Sequence, residues 1–132
     1  MATANGKSGT ASVTVAREAH VDAVATYKAG VPATTFRKGT DTVEVRVTLR
    51  DHENALVAGA AVTVEYVDSN GAVAATRTAT TSATGVASVS YALPPSAPQN
   101  GWVARVTAVS GTNVVYNAAA NVVSSAGFTV TP

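Results

Sequence analysis

Cysteine is absent from this chain of 132 residues, so neither a disulfide framework nor a cysteine metal site can form. A chain without disulfides fits a bacterial surface or secreted domain better than a small secreted eukaryotic module. Long apolar runs are missing as well. No stretch of 18 apolar residues occurs, so we expect no membrane insertion.

Charge is also scarce, since charged residues make up 13% of the chain and the net charge is +1. The nine basic residues are spread out and form no basic stripe, so the sequence does not predict nucleic-acid binding. Neither a glycine-rich phosphate loop nor a G-x-S-x-G motif is present, and the histidines have no recognisable triad context. We therefore expect neither an enzyme nor a bound cofactor.

The chain is rich in Ala, Val, Thr and Ser, a composition that favours strands over helices. The clearest element is "TVEVRVTLR" (42–50), in which apolar and polar residues alternate strictly, as in a strand with one buried face. Asn70-Gly71 between two strand-like runs indicates a hairpin. Counting such runs gives seven to nine strands, predicted at 11–17, 21–30, 42–50, 60–67, 72–81, 86–93, 102–109, 114–123 and 127–132.

This spacing of strands predicts an all-β sandwich of about seven to nine antiparallel strands in two sheets, forming a single domain over residues 11–132. Residues 1–10, "MATANGKSGT", have neither a basic start nor an apolar core, and we interpret them as a flexible linker or leader. The phase of the strands predicts a core made of Val43, Val45, Val47, Leu49, Val62, Val64, Val89, Tyr91, Leu93, Trp102 and Val106.

Residues 37 to 110 contain the run "LVAGAAVTVEYV", the hairpin "DSNG", "TTSATGVASVSY", the proline loop "PPSAPQNG" and "WVARVTAV". With these motifs the segment resembles bacterial immunoglobulin-like and macroglobulin-like domains. The resemblance implies an immunoglobulin-like sandwich that serves as a spacer, adhesion or accessory module beside other domains. It transfers no catalytic residues, because these motifs describe strands and turns.

The polar cluster Asp51, His52 and Glu53 is the first candidate for chemistry. A metal or acid–base site needs several ligands that converge, whereas consecutive residues at a strand end point in different directions. We therefore predict a turn in which Asp51 accepts a hydrogen bond from the backbone two residues on. The resembling sequences have an acidic turn ending in Gly here, and "DHEN" occupies the place without the glycine.

Two other pairings of polar residues are conceivable. His20 and Asp22 have a spacing that puts both on one strand face, but two residues do not make a metal site. A Lys–Asn or Lys–Asp isopeptide bond would draw on Lys28, Lys38, Asn117, Asn121 and Glu65. It needs a buried carboxylic acid, and Glu65 is out of phase with the buried residues of its strand, so we do not expect the bond to form.

Aromatic side chains decide between two functions. A structural or adhesion module of a secreted or cell-surface bacterial protein would be a monomer that contacts neighbouring domains and carries a Thr/Ser/Ala surface. The alternative, a carbohydrate-binding accessory domain, needs exposed rings, and its candidate contacts are Tyr27, Phe36 and Trp102. Trp102 is in phase with inward residues, so we expect it in the core. Tyr27 and Phe36 are predicted near loops.

Overall fold

A computed structural model describes residues 16–132, and it contains no α-helix among them. The predicted linker and all but the end of the predicted strand at 11–17 lie outside these residues. The described strands are β1 (Arg17–Lys28), β2 (Val31–Pro32), β3 (Thr35–Arg37), β4 (Thr42–Arg50), β5 (Ala61–Val67), β6 (Val73–Thr80), β7 (Val86–Ala92), β8 (Asn100–Ser110), β9 (Val114–Tyr116) and β10 (Ser125–Thr131).

The strands form the two sheets that the sequence predicted. One sheet has the order β2-β1-β4-β7, with β9 paired to β1, and the other has the order β3-β10-β8-β5-β6. Most pairings are antiparallel, but β9 is parallel to β1 and β3 is parallel to β10. These parallel contacts are short, and sequence patterns of hairpins do not reveal them because the paired segments are far apart along the chain.

The core lies between the sheets and follows the alternation of each strand. In β4 the four apolar residues are fully buried, whereas the polar residues between them are only half-buried. The predicted core is confirmed except for Tyr91, which is partly buried and packs against it. In β8 the alternation changes phase, so that Val109 is buried and Ala108 exposed, because a bulge interrupts the pairing with β5.

Three turns close with the same backbone pattern. In each, the first residue donates its N–H to the carbonyl of the fifth, at 2.8 to 3.0 Å, and the fourth residue is left-handed. That fourth residue is Gly71 or Gly85 in two turns and Asn54 in the third, with φ of 82°, 73° and 66°. The turns are Asp51–Ala55, Asp68–Ala72 and Ser82–Val86. Asn tolerates this conformation better than other side chains, so Asn54 takes the place of the missing glycine.

The segment predicted as a strand at 114–123 is largely irregular. Only β9 is a strand, and a short 3-10 helix follows at Ala118–Ala120. Asn121 explains part of the departure, because its side-chain oxygen accepts the backbone N–H of Val21 at 2.7 Å. A side chain thereby takes the place of a backbone partner beside β1.

The first described strand, β1, begins at one end of the sandwich, and the last strand, β10, ends at the opposite end. β4 runs between Lys38, which precedes it, and Asp51, which follows it. Arg17 N–H donates to Asn113 at 2.6 Å and its Nε donates to Asp51 at 2.9 Å. At the other end, Lys38 N–H donates to the Thr131 carbonyl at 3.1 Å. We refer to these as the Arg17 end and the Thr131 end.

Candidate functional site

The polar cluster at 51–53 is a turn, as the sequence predicted. One carboxylate oxygen of Asp51 accepts the N–H groups of Glu53 and Ala55, both at 2.9 Å. The side chains of His52 and Glu53 are 69% and 77% exposed and extend into solvent. The three side chains therefore do not converge on a common point.

Asp51 has a structural partner that its neighbours in sequence do not reveal. Its side chain is only 8% exposed and lies 2.9 Å from Arg17 Nε at the start of β1. The Ala55 N–H and the Arg17 guanidinium lower the pKa of the Asp51 carboxyl from its ordinary value. Asp51 thus fixes its own turn and the first residue of β1 at the same time.

His20 and Asp22 form separate contacts. His20 Nδ1 lies 3.0 Å from Glu18, whereas the Asp22 carboxylate accepts Arg50 Nε at 3.2 Å. A bulge in β1 between Val21 and Ala23 interrupts the alternation at this point. Among residues 16–132, no group of three or more His, Cys, Asp or Glu side chains could hold a metal ion.

The parts of the considered isopeptide bond are also dispersed. Lys28 is 46% exposed and faces Asp41 at 3.4 Å, while the Asn121 amide donates to the Tyr116 hydroxyl at 2.7 Å. Glu65 accepts Arg105 on the outer face of its sheet at 2.8 Å. No buried carboxyl accompanies Lys28 in the described part of the chain, so this arrangement does not provide the proton transfer that the bond requires.

Two of the three candidate carbohydrate contacts are buried: Trp102 as its phase predicted, and Phe36 contrary to its expected place near a loop. Phe36 is fully buried in β3 and Trp102 is 2% exposed in β8. Both pack around Phe128, with ring centroids 5.5 and 5.9 Å away, and Trp102 Nε1 donates to the Pro98 carbonyl at 2.7 Å. Phe36 was expected near a loop because a strand as short as β3 gives little periodic signal. Neither ring presents a face for a sugar.

Tyr27 alone remains at the surface, on the outer face of the first sheet. There the side chains of β1, β4 and β7 form three rows across the sheet, which are Tyr27–Glu44–Ser90, Ala25–Arg46–Ser88 and Ala23–Thr48–Val86. Arg46 does not stand upright in the middle row, because its guanidinium lies over the Tyr27 ring at 3.9 Å from the centroid. The space that it leaves open is a concavity of about 600 Å³.

A compact network fixes the polar end of this concavity. Glu44 accepts Arg46 Nε at 2.8 Å and the Ser88 hydroxyl at 2.6 Å. The hydrogen bond from Arg46, followed by that from Ser88, lowers the pKa of the Glu44 carboxyl, and the same contact raises the pKa of Arg46. Both groups are therefore charged at neutral pH and neutralise each other. Sequence alternation placed these polar residues on the outer face but could not show that Arg46 stacks on Tyr27.

The opposite end of the concavity is formed by the turn between β6 and β7. Ser82 and Thr84 line it, with their hydroxyl oxygens 2.8 Å apart. The floor is made of small side chains, among them Ala23 and Ala25. The arrangement brings hydroxyl groups, one carboxylate and one stacked ring together around the concavity.

Comparison with known proteins gives the family. No curated protein matches this chain. No helix among the described residues has the length and apolarity that a membrane crossing demands. The family model of the MG2 domain, a macroglobulin-like immunoglobulin-fold domain, matches residues 37–130, which is more than half of the chain. The domains of this family are non-catalytic immunoglobulin-like modules of larger proteins, and they occur in secreted macroglobulin-like proteins. The chain belongs to the MG2 domain family.

Proposed function

We propose that this domain is a spacer in a larger secreted or cell-surface bacterial protein, where it separates and supports neighbouring domains. The observation that carries the proposal is the placement of Arg17 and Thr131 at opposite ends of the sandwich. Sequence before Arg17 and sequence after Thr131 would leave the domain in opposite directions. The twelve residues of β1 extend over roughly 36 Å, which is the separation that the domain would impose.

Both ends are anchored in a way that suits this role. At the Arg17 end, Arg17 Nη2 also donates to the Leu56 carbonyl at 2.9 Å, in addition to its contact with Asp51. At the Thr131 end, Gly39 N–H donates to the Leu93 carbonyl at 2.9 Å, beside the Lys38–Thr131 contact. Hydrogen bonds at each end resist fraying and would transmit the orientation of one neighbour to the next.

A charged side chain at the edge strands β6 and β7 favours a monomer with partners along the chain. Arg77 in edge strand β6 donates to the Ser90 carbonyl of β7 at 3.2 Å, and its guanidinium lies 5.5 Å from the Tyr91 ring centroid. A charged side chain turned toward the gap between two edge strands hinders pairing with another molecule. Extracellular location is supported by the secreted proteins in which MG2 domains occur.

The test uses the parent polypeptide with labels on the domains that flank this one. Because this domain has no cysteine, introduced cysteines in the flanking domains can be labelled without labelling it. We expect a narrow distance distribution in the intact protein, which should persist when another rigid immunoglobulin-like domain of equal length replaces residues 17–131. Replacement by a Gly/Ser linker should broaden the distribution. An unchanged distribution with the flexible linker would refute the spacer role.

A further inference from the structure

We propose that the concavity between Tyr27 and the Ser82–Thr84 turn binds a short segment of a neutral oligosaccharide. This goes beyond the spacer role, and it restricts the carbohydrate-binding alternative to one surface. The volume of about 600 Å³ is within the range of small-molecule sites, which is roughly 300–1,000 Å³. Three rows of side chains along a strand extend over about 13 Å, longer than a single pyranose ring.

The floor and the wall of the concavity suit the apolar ring face of a sugar. Sugars present apolar C–H groups on their ring faces and hydroxyl groups around their edges. The floor offers small apolar groups, with Ala25 at its centre and Val86 at one corner. The ring of Tyr27 with Arg46 stacked on it forms a rigid wall at one end. A sugar can therefore approach closely enough for its ring to contact the floor.

Hydrogen-bonding groups surround this floor. Thr48 and Ser88 contribute hydroxyl groups beside it, and Ser82 and Thr84 contribute two more at the far end. In Glu44 the second carboxylate oxygen has only a 3.4 Å contact with Arg46, so it can accept a sugar hydroxyl. Hydroxyl groups both donate and accept, which suits the mixed donor and acceptor character of a sugar edge.

Charge favours a neutral ligand. The one carboxylate and the one guanidinium that line the concavity, Glu44 and Arg46, form a pair at 2.8 Å. Because these two groups neutralise each other, a charged sugar finds no free counter-charge among them. Binding a charged sugar would require separation of the pair, so a ligand without net charge is preferred.

The outer face of the second sheet provides a matched comparison. There Arg105 and Glu65 form a similar pair at 2.8 Å. Their strand partners outward from the pair are Ser125 and Thr76, so no aromatic ring accompanies them. If an exposed Arg–Glu pair were sufficient for binding, both faces would bind. The proposal requires only the face with Tyr27 to do so.

The experiment is a titration of the isotope-labelled chain, followed by NMR, with neutral hexasaccharides derived from cellulose, xylan, chitin and mannan at millimolar concentration. We expect at least one of them to shift the amide signals of residues 23–27, 44–48 and 86–88. Tyr27→Ala, Arg46→Ala and Ala25→Gln should each weaken binding by about tenfold or more, because they remove the wall or fill the floor. Arg105→Ala, the control, should bind as the wild type does.

Other outcomes overturn the proposal. These are no shifts with any of the four hexasaccharides, shifts confined to other residues, or affinity that survives all three variants while the chain remains folded. A peptide and an anionic oligosaccharide are titrated in the same way, and binding restricted to either of them would also overturn the proposal. None of these results affects the distance measurement on the parent polypeptide, so the two proposals fail independently.

Discussion

The hydrogen bond of Tyr66 joins the two sheets inside the core, and its removal gives a direct test of how the sandwich is held together. The Tyr66 side chain is fully buried in β5, and its hydroxyl donates to the Val43 carbonyl of β4 at 2.8 Å. Tyr66→Phe removes only the hydroxyl, and with it the hydrogen bond that this side chain supplies to the carbonyl. Loss of a buried partner costs ~1–3 kcal/mol. We expect the free energy of unfolding near neutral pH to fall by about 2 kcal/mol and Tm to fall by roughly 5–10 °C.

The same group makes this difference depend on pH. Burial raises the pKa of Tyr66 above its ordinary value of 10.0. The phenol therefore ionises more easily in the unfolded chain. Its contribution to stability is fully present below pH ~10 and is lost as pH rises toward the folded-state pKa. The wild type should lose its advantage over Tyr66→Phe by up to about 1.4 kcal/mol per pH unit in this range.

Urea unfolding at neutral pH and at two pH values above 10 would measure both effects. Trp102 is the only tryptophan and is buried, so its fluorescence reports unfolding. The other tyrosines ionise in both proteins and cancel in the difference. Tyr27→Phe, in a half-buried ring on the surface, is the control and should change stability by less than ~0.5 kcal/mol. A Tyr66→Phe loss as small as that of the control, or one that does not shrink at high pH, would refute the reasoning.

Three further predictions concern the turns. Gly85→Ala should lower the free energy of unfolding by about 2–3 kcal/mol, and Gly71→Ala should lower it by only about 1 kcal/mol. Both glycines have positive φ, but only at Gly85 would a Cβ meet another side chain, that of Leu56 at 2.9 Å. Equal losses in urea unfolding would contradict this. Asn54→Gly should stay within ~0.5 kcal/mol of the wild type, whereas Asn54→Ala should lose about 1 kcal/mol; calorimetry that shows the reverse order would refute the left-handed role of this residue. The lowered pKa of Asp51 means that its stabilising effect is present above the ordinary value of 3.8 and is lost as pH falls below it. When pH is lowered from 6 to 3, the free energy of unfolding should therefore fall less in Asp51→Asn than in the wild type. The same pH dependence in both proteins would count against a stabilising role of the Asp51 carboxylate.

Some features of the candidate site could be read from the sequence. Alternation in β4 placed Glu44, Arg46 and Thr48 on the outer face, and the structure confirms this. Nothing in the sequence showed that Arg46 would lean over Tyr27, since that depends on the register between β4 and β1. The same register brings Ser88 of β7 to Glu44. The concavity therefore could not be predicted, because it is made by the direction in which one side chain leans.

The sequence by itself determined the features that depend on neighbouring residues. Period-two alternation identified the main strands and their buried faces, and Asn70-Gly71 and the Asp51 side chain identified two of the tight turns, because both signals are local properties of the backbone. Only the tertiary structure decided which distant segments meet. It placed Phe36 in the core, tied Arg17 to Asp51, paired β9 with β1 and changed the phase of β8 at a bulge. Each of these depends on contacts between residues far apart along the chain, for which a local pattern carries no signal.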